Sequence, residues 1–174
     1  MKYLHAFALV VSVATVAACS SDDSPSMPSG TTSQTFTAAL RPSEEVPPVT
    51  GAESTGGGTV TITLDVTRDS YGNVTSGAAT FGVNLTGFPA GTPINMAHIH
   101  QAAAGQSGNV VVSTTLAPGE VTLNTGGGSF NRSGVAVPPD IASQLMSNPA
   151  GFYFNVHSTS NPAGVARGQL VRIQ

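Results

Sequence analysis

The chain has 174 residues, of which only 9% are charged, and it contains 20 glycines and 12 prolines. This composition is typical of one all-β domain with many turns, because a helical bundle or a coiled coil would need many more charged residues, leucines and alanines. Once residues 1–18 are removed as a signal, five arginines face nine acidic residues, a formal charge of −4. Nucleic acid is therefore not expected as a partner, since binding phosphate requires a basic patch.

The first 18 residues predict a secretory signal peptide. Lys2 gives it a positive start, and residues 6–18 form an apolar run too short to span a bilayer. The run ends in Val16–Cys19, which resembles a bacterial lipobox, whose cysteine is lipidated and becomes the mature N-terminus. Ser20 follows in place of aspartate, which implies sorting to the outer membrane. We therefore expect a lipid-anchored protein of the bacterial cell envelope, facing the periplasm or the cell surface; a plain signal with an incidental cysteine is the alternative.

Two further segments are predicted to lie outside regular structure. Residues 19–34 contain almost no apolar side chains and read as a disordered tether, so the folded domain is predicted at 35–174. Residues 41–50 contain adjacent prolines and cannot continue a central strand. We expect Glu44 and Glu45 in this loop to be solvated; a contact with calcium or with a partner is the alternative.

Alternating apolar and polar residues predict strands through the rest of the chain. The clearest is 59–67, and 74–85 returns after a turn as its partner in a hairpin. Residues 110–112 are continuously apolar and predict a fully buried strand, whereas 138–146 has the apolar spacing of one short helix. Further strands are predicted at 35–40, 96–100, 152–157 and 168–173. The fold expected is an antiparallel Greek-key β-sandwich with about seven to nine strands.

Three histidines remain after the signal is removed, and strand alternation groups them. His98 and His100 lie on one face of their strand, and His157 shares a face with Tyr153 and Asn155. If the two strands are close, three neutral imidazoles converge, a set that suits copper, zinc or nickel and leaves a coordination position open. Copper fits redox chemistry better than zinc, which has no accessible one-electron couple. Polar strand surface is the alternative.

Several segments, in the same order, resemble the CHRD domain, a module repeated in chordin and also found alone in many bacterial secreted proteins. The resemblance spans nearly the whole predicted domain, and it implies an extracellular module. The matching segments are Leu40 with 45–48, then 97–100, 153–158, 161–164 and 167–170.

The histidines also resemble a reduced copper-zinc superoxide dismutase site. That family has a His-x-His strand, a later strand ending in Val-His, and a Gly-Asn-Ala-Gly-x-Arg segment whose arginine attracts superoxide. The resemblance implies His98, His100 and His157 as copper ligands and Arg167 as the catalytic residue that steers the anion. The chain has no histidine to bridge copper and zinc, no cluster of zinc ligands and no stabilising disulfide. A copper-only site remains chemically possible.

These observations predict an extracytoplasmic copper lipoprotein that disproportionates superoxide or acts on another small anion. Its only contact with the membrane would be the lipid on Cys19. Two alternatives stay open: a non-catalytic recognition or adhesion module that binds through residues 44–50 or another exposed surface, and a copper-sequestering protein without turnover. A nucleophilic hydrolase is not expected, because the single cysteine is taken by the lipid and no serine lies in a nucleophile-elbow pattern.

Overall fold

A computed structural model describes residues 30–174. Two antiparallel sheets, one short helix and connecting loops make up this part of the chain, which confirms the predicted all-β sandwich. Within 30–174 no helix is long and apolar enough to cross a membrane. The predicted signal at 1–18 and the lipidation site Cys19 lie outside the described residues.

The first sheet contains the predicted hairpin. Its strands, in the spatial order β10-β1-β2-β3-β7, are β1 (Gly30–Leu40), β2 (Gly57–Arg68), β3 (Val74–Thr86), β7 (Gly128–Val137) and β10 (Val171–Arg172). β2 and β3 pair with Ile62 opposite Phe81. Strand β1 begins earlier than expected, because residues 30–34, placed in the tether by their polarity, pair with β2. Backbone hydrogen bonds need no apolar side chains, so a polar segment can extend a hairpin beyond the core.

The second sheet holds the histidine strands. It consists of β4 (Thr92–Gln101), β5 (Asn109–Ser113), β6 (Val121–Leu123), β8 (Phe152–Ser158) and β9 (Ala166–Gln169). The spatial order is β5-β4-β8-β9, and β6 pairs with the other end of β4. The chain passes from β3 into this sheet, returns to β7 beside β3, and crosses again to β8. Strands β4 and β8 therefore become neighbours although about fifty residues separate them.

Two strand predictions were wrong in detail. Residues 168–173 are not one strand, because Ala166–Gln169 pairs with β8 in one sheet and Val171–Arg172 pairs with β1 in the other. The 110–112 strand is not fully buried: Val112 is buried, but Val110 is 48% exposed since β5 is an edge strand. The predicted helix is present as α1 (Pro139–Ser147), which packs against β3.

The hydrophobic core lies between the two sheets. Aliphatic and aromatic side chains from both inner faces fill it, with Phe81 and Phe154 in contact at 5.8 Å between ring centroids. Every residue of β8 is buried, including those that point away from this core. The outer face of β8 is thus a second buried environment, and it is polar, because Tyr153, Asn155 and His157 face it.

Candidate metal site

The three histidines converge on the outer face of the second sheet, as predicted. β4 supplies His98 and His100, and β8 supplies His157, whose partner across the ladder is Met96. Nδ1 of His98 lies 3.1 Å from Nε2 of His157, and one ring nitrogen from each histidine lies within 4.8 Å of the others. Metal–nitrogen bonds of about 2.0–2.1 Å would hold all three after the most distant pair closes by roughly an ångström.

Two backbone carbonyls decide which nitrogens are free to bind. Nδ1 of His100 donates to the carbonyl of Gly108 at 2.9 Å, and Nδ1 of His157 donates to the carbonyl of Pro162 at 3.0 Å. A carbonyl only accepts, so both Nδ1 atoms hold the proton and both Nε2 atoms keep a lone pair. Histidines that bind metals usually donate their other N–H in this way. Within 30–174, the buried Nε2 of His100 has no hydrogen-bond partner.

Two of the rings, His98 and His157, are held in the neutral form that binds metal. Burial, together with the smaller effects of the nearby His157 and His100, lowers the pKa of His98 to about 4. Burial also lowers the pKa of His157, against the effect of the hydrogen bond to Pro162. At neutral pH these two imidazoles therefore offer lone pairs and no charge.

Tyr153 supports the histidines from the side. Its ring stacks on His100 with 4.8 Å between centroids and an angle of 8° between planes, and the Arg167 guanidinium lies 4.5 Å from the centroid of the same ring. The Tyr153 hydroxyl accepts from the backbone N–H of Gly108 at 3.4 Å. Tyr153 thus contacts both His100 and Gly108, the residue whose carbonyl orients the His100 ring.

Arg167 is buried behind Tyr153 and is 4% exposed. Its Nε donates to the carbonyl of Glu44 and its Nη1 donates to the carbonyl of Gln106 at 3.0 Å, so it ties together two loops that cover β8. Its Nε also lies 4.0 Å from the Glu45 carboxylate. The Tyr153 ring contacts both the guanidinium of Arg167 and the ring of His100. The role of Arg167 in attracting superoxide stays a prediction.

Glu45 corrects the expectation of a solvated acidic pair. Glu44 is exposed, but Glu45 is only 6% exposed and faces Arg167. Burial raises the pKa of Glu45 to about 7, although Arg167 and Asn155 lower it. A proline-rich loop with two glutamates reads as surface, because a sequence does not show which loops fold back over a sheet. A signal that could have distinguished Glu45 from Glu44 is its place in the 45–48 segment that resembles the CHRD domain.

A second buried glutamate was missed by the sequence analysis. Glu53 accepts hydrogen bonds from the hydroxyl of Ser158 at 2.6 Å and from the side-chain amide of Asn161. These bonds fix the loop after β8, and this loop provides the Pro162 carbonyl that orients His157. The surrounding Gly-Ala-Glu-Ser sequence has no feature that would have indicated this role.

A cleft of about 300 Å³ opens beside the site. One wall is the proline-rich loop from Glu45 to Thr50, and the other is the loop from Ser160 to Gly164. The Oε1 atom of Glu45 is buried and has no hydrogen-bond partner within the described residues. The cleft therefore has one buried carboxyl group at its edge, between walls that combine polar and apolar surface.

Comparison with known protein families connects this geometry to a group of proteins. The CHRD domain matches residues 36–170, which run from β1 to the end of β9 and include the three histidines, Glu45 and Arg167. Comparisons with curated proteins and with solved structures gave no match. None of the comparisons confirms the resemblance to superoxide dismutase, which stays a prediction. Because the match covers most of its length, the chain belongs to the CHRD domain family.

Proposed function

We propose that this chain is an extracytoplasmic lipoprotein that binds copper through His98, His100 and His157 and disproportionates superoxide there. One observation is the main support for the metal site. Three ring nitrogens lie within 4.8 Å, and backbone carbonyls accept hydrogen bonds from the Nδ1–H groups of His100 and His157, so that both Nε2 atoms carry a lone pair. The Nε2 of His157 accepts a hydrogen bond from Nδ1 of His98, which a bound metal would replace. Such a set can bind metal once the most distant pair of nitrogens moves closer by roughly an ångström.

Copper is proposed because the donor set and the reaction both suit it. Neutral imidazoles bind copper well, and bound copper supplies a one-electron couple that zinc lacks. Disproportionation converts two superoxide ions and two protons into oxygen and hydrogen peroxide, so a metal with two accessible oxidation states is needed. His98 is partly exposed while His100 and His157 are buried, which leaves the side of His98 for a small anion to approach.

The charge distribution bears on how an anion would reach the site. The chain without its signal has a formal charge of −4, which repels superoxide at long range. Arg167 is the positive group next to Tyr153, and its burial reduces screening by water and salt. Its field can therefore favour an anion at the histidines without direct contact.

The location is proposed from the sequence and the family. CHRD domains are typically extracellular, which agrees with a secretory signal at the start of the chain. The Val16–Cys19 segment resembles a lipobox, so we propose a lipid on Cys19 and attachment to the outer membrane.

The proposal is tested on protein loaded with copper after purification. We expect one copper ion per chain, nitrogen couplings in the Cu(II) electron paramagnetic resonance spectrum, and superoxide dismutase activity. His157→Ala should lose the nitrogen pattern and the activity, whereas the exposed Asn131→Ala on the other sheet should keep both. If His157→Ala binds copper and turns over like the unmodified protein, the proposal is wrong. Tight Cu(I) binding with negligible turnover on the same sample would instead identify a copper-sequestering protein.

The cleft favours a second candidate function, a recognition module. Its wall is the loop that the sequence singled out for binding, and the free carboxyl oxygen of Glu45 would accept a hydrogen bond from a ligand. In this case the histidines are dispensable and the cleft is not. Pro48→Ala should then weaken partner capture while His157→Ala leaves it unchanged, and the opposite pattern would remove this candidate.

A further inference from the structure

Met96 shares a face of β4 with the histidines. The pairing of β4 with β8 shifts between Ile94 and Met96, which leaves Asn95 as an extra residue in a bulge. The amide of Asn95 donates to the hydroxyl of Thr159, outside the core, and alternation from His98 puts Met96 on this same outer face.

Met96 lies directly opposite His157 in the ladder. Residues opposite each other in an antiparallel pair have Cβ atoms about 4.5–5.5 Å apart. Methionine is unbranched and flexible, so its sulfur can reach an ion held by the facing imidazole. Met96 is partly buried, yet it is not among the side chains of residues 30–174 that form or pack against the hydrophobic core. Core packing therefore does not explain a methionine here.

We propose that Met96 is a fourth ligand, whose thioether makes the site selective for Cu(I). This inference rests on the proposed metal site and deepens it. Three imidazoles alone bind zinc and copper, whereas a soft thioether favours Cu(I) and adds little affinity for Zn(II). Met96 would also stabilise the reduced ion over the oxidised one, which raises the reduction potential of the bound copper.

The test compares Met96→Leu with the unmodified protein, because this substitution keeps the volume and removes the sulfur. Competition with a chromophoric Cu(I) chelator without oxygen should show Cu(I) affinity reduced by about tenfold or more, since losing an outer partner of a ligand already costs about ten- to hundredfold. Zn(II) affinity should be unchanged. Met146→Leu, the same change in helix α1, is the matched control and should keep the affinity for both metals.

A second measurement observes the sulfur directly. X-ray absorption of the Cu(I)-loaded protein should contain a copper–sulfur distance that disappears in Met96→Leu. Equal Cu(I) affinity in the two proteins, or a spectrum with only nitrogen and oxygen neighbours, overturns the inference while the three-histidine site stands. If the unmodified protein binds neither metal, the proposed function fails as well. Thermal unfolding of each variant checks that it is folded.

Discussion

Glu45 and Arg167 are buried side by side on the outer face of the second sheet, where charge is more costly than in water. The raised pKa of Glu45 shows that burial outweighs the attraction of Arg167. A carboxyl whose folded pKa exceeds its unfolded value stabilises the protein fully below the unfolded pKa, and this contribution is lost as the pH rises through the folded pKa. For Glu45 the window runs from 4.5 to about 7.

Glu45→Gln removes this titration. Relative to the variant, the unmodified protein should lose about 2 kcal/mol of unfolding free energy between pH 5 and pH 8. Urea unfolding of both metal-free proteins at the two pH values measures it. Comparing the two proteins cancels the contributions of His98 and His157, whose lowered pKa values act with the opposite sign. An equal pH dependence in both would mean that Glu45 is ionised throughout.

Two roles are proposed for Arg167, and substitutions separate them. As a steering cation it acts by charge, so Arg167→Lys should keep most of the reaction rate and its decrease with salt, whereas Arg167→Gln should lose both. As a positioning residue it acts through its planar fork to Glu44 and Gln106, which lysine cannot reproduce, so both variants should bind metal more weakly. Metal affinity, reaction rate and salt dependence of the two variants decide between these roles.

At the scale of elements, the outer face of β8 carries a stack of side chains, in which the Tyr153 ring contacts both His100 and Arg167. Tyr153→Leu removes the flat ring and should reduce metal affinity by about tenfold, a typical cost of losing an outer support of a ligand. Tyr153→Phe keeps the stack and loses only the long bond from Gly108, so it should stay near the unmodified affinity. Equal losses in both would assign the effect to the hydroxyl.

The backbone conformation of the loop after β8 requires a glycine at position 164. Gly164 has φ of 142°, and a Cβ there would lie 2.6 Å from Oε1 of Glu45 and 2.8 Å from Nδ2 of Asn155. Gly164→Ala should destabilise the fold by about 2 kcal/mol or more, because backbone strain and overpacking add. Gly105→Ala, with φ of 77° and open space around it, tests strain alone and should cost about 1 kcal/mol. Similar unfolding free energies for the two variants would show that the loop moves to avoid the clash.

For the whole molecule, the proposed lipid on Cys19 would determine where any activity takes place. Cys19→Ser should move the protein from the membrane fraction to the soluble fraction and abolish the lipid mass on the N-terminal peptide. Ser20→Asp should keep the lipid but change the sorting away from the outer membrane. Membrane fractionation and mass spectrometry of both variants test this. A Cys19→Ser protein that stays in the membrane fraction would exclude the anchor.

The sequence alone determined the features that depend on local pattern. A period of two puts His98 and His100 on one face of a strand wherever that strand lies, and the alternation in 59–67 required a half-buried strand. The fold class followed from the same pattern and from the turn residues. The three candidate ligands could therefore be named before any distance was known.

Only the tertiary structure decided the features that depend on long-range pairing. The register of β4 against β8 brings His157 to His98 and puts Met96 opposite it. The loops that close over β8 bury Glu45 and Arg167 and supply the carbonyls that orient two histidines. No local pattern specifies these contacts, because they depend on how distant segments fold back on one another and on which partner strand each backbone finds.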